Sequence, residues 1–171
     1  AILFFASSLA FAQPAFQPQI EVTFPSSPSE SCEKLFSENR LERARSVLST
    51  MGCPPGYGEE KEASFDCFAE DISYSDGNVI ANGKSDVIKV FRNILSPSFT
   101  KSWAVKVLEE FCDESEYIAT FEMNATMANG NVKNAPGISF IEFDEKNEDK
   151  VVRWRDYLSE LKAYDYIPLV K

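Results

Sequence analysis

The order of apolar patterns predicts an α+β fold: a curved antiparallel sheet wrapped on about three helices. Helical spacing is confined to the first half of the chain. Four long strand-like runs fill the second half, and clusters of turn residues separate them. The 171 residues suffice for one domain with a substantial core. Phenylalanine occurs 14 times, which favours large side chains facing a helix layer or a pocket.

Residues 1–12, AILFFASSLAFA, form an apolar run that ends in small residues, and Ala10 and Ala12 fit an A-x-A cleavage pattern. The run is shorter than the ~20 apolar residues that span a bilayer. It reads as a cleavable leader, so no stable membrane insertion is expected once it is removed. Export into the secretory pathway is the simpler expectation. The alternative is a plastid of an alga with a secondary plastid, because SSLAFAQP resembles the cleavage motif of such leaders, with Phe11 after the cut. Residues 13–31 carry Glu21 and Glu30 but no Lys or Arg, unlike the usual basic transit peptide.

Pro, Ser and Gln dominate residues 13–31, which read as a disordered linker. Residues 32–51 place Leu35, Leu41, Ala44, Val47 and Leu48 at helical spacing, with Ser31 as N-cap and Gly52 as the stop. CPPGYG at 53–58 is a loop. Residues 59–70 read as a short helix that turns Phe65 and Phe68 inward. DISYSD at 71–76 is a short strand, and GNVIANG is a turn-rich link. Residues 84–96 are a helix with Val87, Ile88, Phe91 and Leu95 on one face, stopped before Pro97. Strands are expected near 101–111, 115–128, 137–144 and 150–158. One domain spans 32–162, and residues 163–171 form a tail.

The charge balance excludes some functions. Lys+Arg number 17 against Asp+Glu 27, for a net charge of −10. Such a surface repels phosphate backbones, so no nucleic-acid partner is expected. Histidine is absent, which removes Ser-His and Cys-His nucleophilic chemistry and leaves acid–base work to Asp, Glu, Tyr, Cys or Lys. Cys32, Cys53, Cys67 and Cys112 lack zinc-site spacing, and no metal centre is expected. They are either buried thiols or, in an oxidising compartment, one or two disulfides, with Cys53–Cys67 the first pair to test.

The stretch VVRWRDYLSEL, 151–161, places Asp156 inside a strand. Aspartate is depleted there and costly to bury without a partner. Alternation puts Trp154, Asp156 and Leu158 on one face and Arg153, Arg155 and Tyr157 on the other. An acid between Trp and Leu is desolvated, so its pKa should rise to where a general acid or base works near neutral pH. The competing reading is a structural acid bonded to a Tyr hydroxyl or to backbone amides. Asn124-Ala125-Thr126 is a glycosylation sequon, but its mid-strand position weighs against occupancy.

Three short stretches together carry a family resemblance. FAEDISYSD at 68–76, NGKSDVIKVF at 82–91 and VRWRDY at 152–157 occur in the order and spacing of the nuclear transport factor two-like superfamily. Residues 32–162 resemble its SnoaL-like branch, which includes limonene epoxide hydrolase. The resemblance implies a cone-shaped sheet, a pocket for an apolar small molecule and no cofactor. It implies either acid–base catalysis (hydrolysis, isomerisation, cyclisation or dehydration) or a non-catalytic binding or assembly module, with a homodimer possible. Carried over, Tyr74 matches the family tyrosine and Asp156 the last-strand aspartate. Asp76 stands where asparagine is expected, Thr120 where arginine is expected, and Glu122 where a second aspartate is expected. The missing arginine separates this chain from epoxide hydrolysis specifically. Asp156, Tyr74 and Glu122 are therefore the catalytic candidates, and Asp76, Thr120 and Trp154 the ligand-binding ones. For Glu122 the alternation of its own strand points the other way, toward solvent.

Overall fold

The computed structural model describes residues 19–53, 64–77, 79–147 and 150–159. The expected leader, residues 13–18, most of the loop and helix at 54–63, and the tail from residue 160 lie outside the described residues.

The first expected helix is two. α1 (Glu30–Leu35) and α2 (Glu38–Thr50) each begin at their own serine cap. The Ser29 hydroxyl accepts from the Cys32 N–H, and the Ser37 hydroxyl accepts from the Arg40 N–H. A second N-cap in mid-pattern requires extended backbone, and Phe36 and Ser37 adopt it, so the helix breaks there. Ser31 lies within α1 and is not its cap; its hydroxyl accepts from the Cys112 N–H at 3.0 Å. α2 closes on Met51, which takes the left-handed conformation with φ 49° just before Gly52.

Three further expectations change. β1 (Gln19–Thr23) is a strand, not linker, and runs parallel to β4 (Thr100–Cys112) at the sheet edge. Residues 68–70 belong to β2 (Phe68–Ser75), not to a helix; Phe65 and Phe68 do point inward, but from a turn and a strand. Within the expected link, β3 (Ile80–Asn82) pairs antiparallel with β2. α3 (Lys84–Ile94) starts at Gly83, whose φ of 87° suits a residue without a Cβ, and buries Val87, Val90, Phe91 and Ile94.

The long strands fall where expected: β4, β5 (Glu116–Met127), β6 (Val132–Phe143) and β7 (Val151–Leu158). They form an antiparallel series within one curved, unclosed seven-stranded sheet of order β1-β4-β5-β6-β7-β2-β3. Its flanks are parallel, because β1 runs along β4 and β2 along β7. The β2–β7 pairing sets Tyr74 directly beside Trp154 and so joins two distant sequence stretches.

The inner face packs on the helices. Phe91 of α3 lies 4.8 Å from the Tyr74 ring and 5.0 Å from Trp154, edge to face. Burial of each such aromatic contributes about 2–3 kcal/mol. Two disulfides tie the helical segment to the sheet. Cys32–Cys112 joins α1 to the end of β4, and Cys53–Cys67 joins the residues after α2 to those before β2.

Candidate ligand pocket and buried acid

Asp156 lies on the inner face of β7, as alternation requires, and is only 8% exposed. Three neighbours donate to it. The Trp154 indole N–H, two residues along the same face, reaches Oδ1 at 2.8 Å. Ser139, directly opposite on β6, donates its hydroxyl to the same oxygen. The Tyr74 hydroxyl reaches Oδ2 at 3.2 Å from the neighbouring parallel strand. No cation is among these partners.

Burial raises the Asp156 pKa from 3.8 to about 6. The Ser139, Trp154 and Tyr74 donors pull it down, and the charge of Asp76 pushes it up. The carboxyl thus changes protonation state close to neutral pH while held in one orientation.

The candidate residues separate into two groups. Tyr74, Trp154, Asp156 and Asp76 come together. The Tyr74 hydroxyl lies 3.2 Å from Asp156 and 3.4 Å from Asp76, so its single O–H is within reach of two carboxylates. Asp76 also holds its own turn: its Oδ1 accepts from the Val79 N–H at 2.9 Å. It is both a turn residue and a neighbour of the buried acid.

Glu122 and Thr120 do not join them. On β5 the inward positions are Tyr117, Ala119, Phe121, Met123 and Ala125, so both candidates lie on the outer face, with Glu122 exposed. The family register placed them in the cone; the alternation of β5 is what holds. Ser139 was missed. Its signal was a small hydroxyl residue at an inward position of β6, in step with Ile141 and Phe143.

A cavity of about 40 Å³ adjoins the acid. Asp156, Ser139 and Tyr74 form its polar wall, and Met51, Trp103 and Phe121 are among its apolar residues. Its volume suits about three water molecules, far below the ~300–1,000 Å³ of a drug-sized pocket. Phe121 helps to fill the cone. Its ring lies across Gly137 on the adjacent strand, where an added Cβ would stand 2.5 Å from the ring. Glycine at 137 is therefore what lets the ring occupy this space.

Besides Asp156 and its buried neighbour Asp76, Glu110 is buried elsewhere on the inner face. Arg45 of α2 donates to both oxygens of Glu110, at 2.8 and 2.5 Å. The Tyr117 hydroxyl donates to Glu110 Oε1 at 2.6 Å, and burial drives the Tyr117 pKa above its ordinary value. Nothing in the local sequence pointed to Glu110. The register of β4 shifts between Val107 and Glu109, so Leu108 is an extra residue that reverses the alternation. Glu110 thereby turns inward and Phe111 outward. Among the described residues, no group of three or more His, Cys, Asp or Glu could hold a metal ion.

Neither a protein-family model nor a curated protein matches the sequence. Solved structures do. A nuclear transport factor two-like protein of unknown function from Burkholderia pseudomallei superposes with a TM-score of 0.55 at 14% identity, covering 79% of this chain and 99% of that one. A nuclear transport factor two-like protein from Anabaena variabilis gives 0.54 at 15% identity, covering 81% and 97%. AclR from Streptomyces galilaeus gives 0.53 at 13% identity, covering 77% and 80%. At such identities the likeness concerns backbone arrangement, and it agrees with the mixed sheet and three helices above: this chain has the nuclear transport factor two-like fold.

Proposed function

We propose that the chain is a cofactor-free small-molecule pocket protein of SnoaL-like type, in which Asp156 exchanges a proton with a compact apolar ligand. The observation that carries this reading is the placement of one carboxyl, its pKa raised to about 6, in the wall of an otherwise largely apolar cavity. The acid is oriented before any ligand arrives. Trp154 and Ser139 hold Oδ1, leaving Oδ2 and the Tyr74 hydroxyl as the pair that meets a ligand. In the reaction this arrangement favours, the Asp156 carboxylate takes a proton from carbon or oxygen, and the Tyr74 hydroxyl donates a hydrogen bond to the oxygen that gains charge.

The cavity volume constrains the ligand. A few heavy atoms fit the cavity as it stands, and a larger molecule requires the unbranched Met51 side chain, Leu158 or the Phe121 ring to move. The small volume is also the observation that favours a second reading, a non-catalytic module that acts through its surface.

The outer face of the sheet is where such a module would pair with a second copy. Phe111, Ile118 and Phe140 line up in register across β4, β5 and β6. Phe111 is 44% exposed and Tyr157 53%. The ion pairs Arg155–Glu116 and Arg153–Glu142 lie among and beside these residues. A twofold arrangement of this face on itself can set acids against bases. The two disulfides favour an oxidising compartment, in keeping with an exported protein.

The test is NMR of the Trp154 indole N–H during titration with small cyclic epoxides and ketones, at pH 5 and pH 8, with product analysis. Pocket function predicts a saturable shift of that resonance that changes with pH and is altered in Asp156→Asn. Product formation that Asp156→Asn abolishes establishes the enzyme. A shift without product leaves a binding protein. No shift with any probe, together with a dimer that Phe111→Lys splits in sedimentation, establishes the assembly module.

A further inference from the structure

The sequon Asn124-Ala125-Thr126 plays no part in the pocket, and it is the only Asn-x-Ser/Thr pattern in the sequence. Its position inside β5 argued against use. The structure alters that argument in two ways.

The first concerns space. Asn124 is exposed on the outer face, and its strand neighbours on both sides, Ala104 and Asn134, are exposed as well. Glu122, Lys106 and Pro136, one row along the sheet, are also exposed. A side chain here points away from the core, so a large substituent on its amide displaces no packed group. The ladder hydrogen bonds of β5 use backbone atoms alone and are untouched by it.

The second concerns order of synthesis. Asn124 pairs with Asn134 across the β5–β6 hairpin, and β6 follows it in the chain. When Asn124 first enters an export channel, its β6 partner has yet to follow. The sequon is then an open acceptor, and folding closes around it only afterwards.

From the exposure, the chain order and the two disulfides, we infer that Asn124 is an N-glycosylation site. In the modification, the Asn124 Nδ2 forms a bond to C1 of an oligosaccharide carried on a lipid pyrophosphate. The C1–O bond to the pyrophosphate breaks, the lipid pyrophosphate leaves with the bonding electrons, and the amide gives up one proton. The inference rests on the export reading. It also divides the outer face. Asn124 stands six residues, about 20 Å, from the row containing Ile118. The glycan then covers the polar half of the sheet and leaves the Phe111–Ile118–Phe140 row free.

The experiment is mass spectrometry of the protein purified from its source cells under non-reducing conditions, before and after peptide-N-glycosidase. The expected result is a fall in intact mass, conversion of Asn124 to Asp in the treated peptide, and intact Cys32–Cys112 and Cys53–Cys67 links. Unmodified Asn124 beside intact disulfides overturns the glycosylation site and leaves the export reading standing. Unmodified Asn124 with free thiols overturns both. As a second measurement, Asn124→Gln secreted from eukaryotic cells should lose the glycan mass yet keep the wild-type unfolding midpoint after deglycosylation of both. A wild-type chain secreted without a glycan contradicts the inference.

Discussion

Among the buried carboxylates of the described residues, Glu110 and Asp156 have opposite surroundings. Glu110 faces a guanidinium that grips both its oxygens, with a phenol completing the shell. Asp156 faces an indole, a hydroxyl and a phenol, all neutral donors, and borders a cavity. An adjacent cation compensates the burial of an acid and ties it into the structure. Neutral donors orient the acid without neutralising it, and burial then brings its protonation equilibrium toward neutral pH. Burial alone therefore does not decide how an acid behaves; the kind of partner does.

The difference can be broken most forcefully at Arg45. Arg45→Ala leaves Glu110 buried without its cation, and unfolding in urea should show a loss of about 3 kcal/mol. That figure is the low end for a broken buried pair, because the Arg45 side chain is 26% exposed. A loss below about 1 kcal/mol would mean that Glu110 does not depend on Arg45.

Next in size is the pH dependence set by Asp156. Its folded pKa of about 6 exceeds the ordinary 3.8, so the folded state binds more protons than the unfolded state between those values. The stability contributed by the protonated acid is fully present below about pH 4 and is lost as pH rises through about 6. The change amounts to about 2–3 kcal/mol at 1.36 kcal/mol per pKa unit. Asp156→Asn removes this slope and should be more stable than wild type at pH 8, because its amide can keep all three neighbours hydrogen-bonded. Urea denaturation at pH 4 and pH 8 for both proteins measures it. Equal slopes would contradict the assignment.

Tyr74→Phe should cost about 1 kcal/mol for the lost hydroxyl bonds and raise the Asp156 pKa further, since the phenol stabilises the charged form. The smallest effect belongs to Glu122→Ala. Its exposed side chain should change stability by less than about 0.5 kcal/mol and leave the Asp156 titration unmoved.

These residues also show what the sequence could reveal. Asp156 was legible because Trp154, Asp156 and Leu158 alternate cleanly and β7 is regular at that point. The four long strands were legible from their strand-like runs and the turn residues between them, and α3 from its helical spacing. Glu110 was not, because the extra Leu108 reverses the face of β4 and leaves no local mark. β1 was hidden by its Pro- and Ser-rich surroundings, although Ile20 and Val22 alternate and are its partly buried positions. The i, i+3 spacing of Phe65 and Phe68 imitated a helix where a turn leads into β2. For Glu122 the local pattern was sound, and the likeness to a distant family misplaced the residue.

The most direct measurement is an NMR titration of the side-chain carboxyls, with Asp156→Asn to assign the resonance. A midpoint for Asp156 near pH 6 is the expected result, and it establishes an oriented acid that exchanges its proton near neutral pH. A midpoint at or below about 4, the value of an unperturbed aspartate, would make Asp156 a structural acid and contradict the proposal for the pocket.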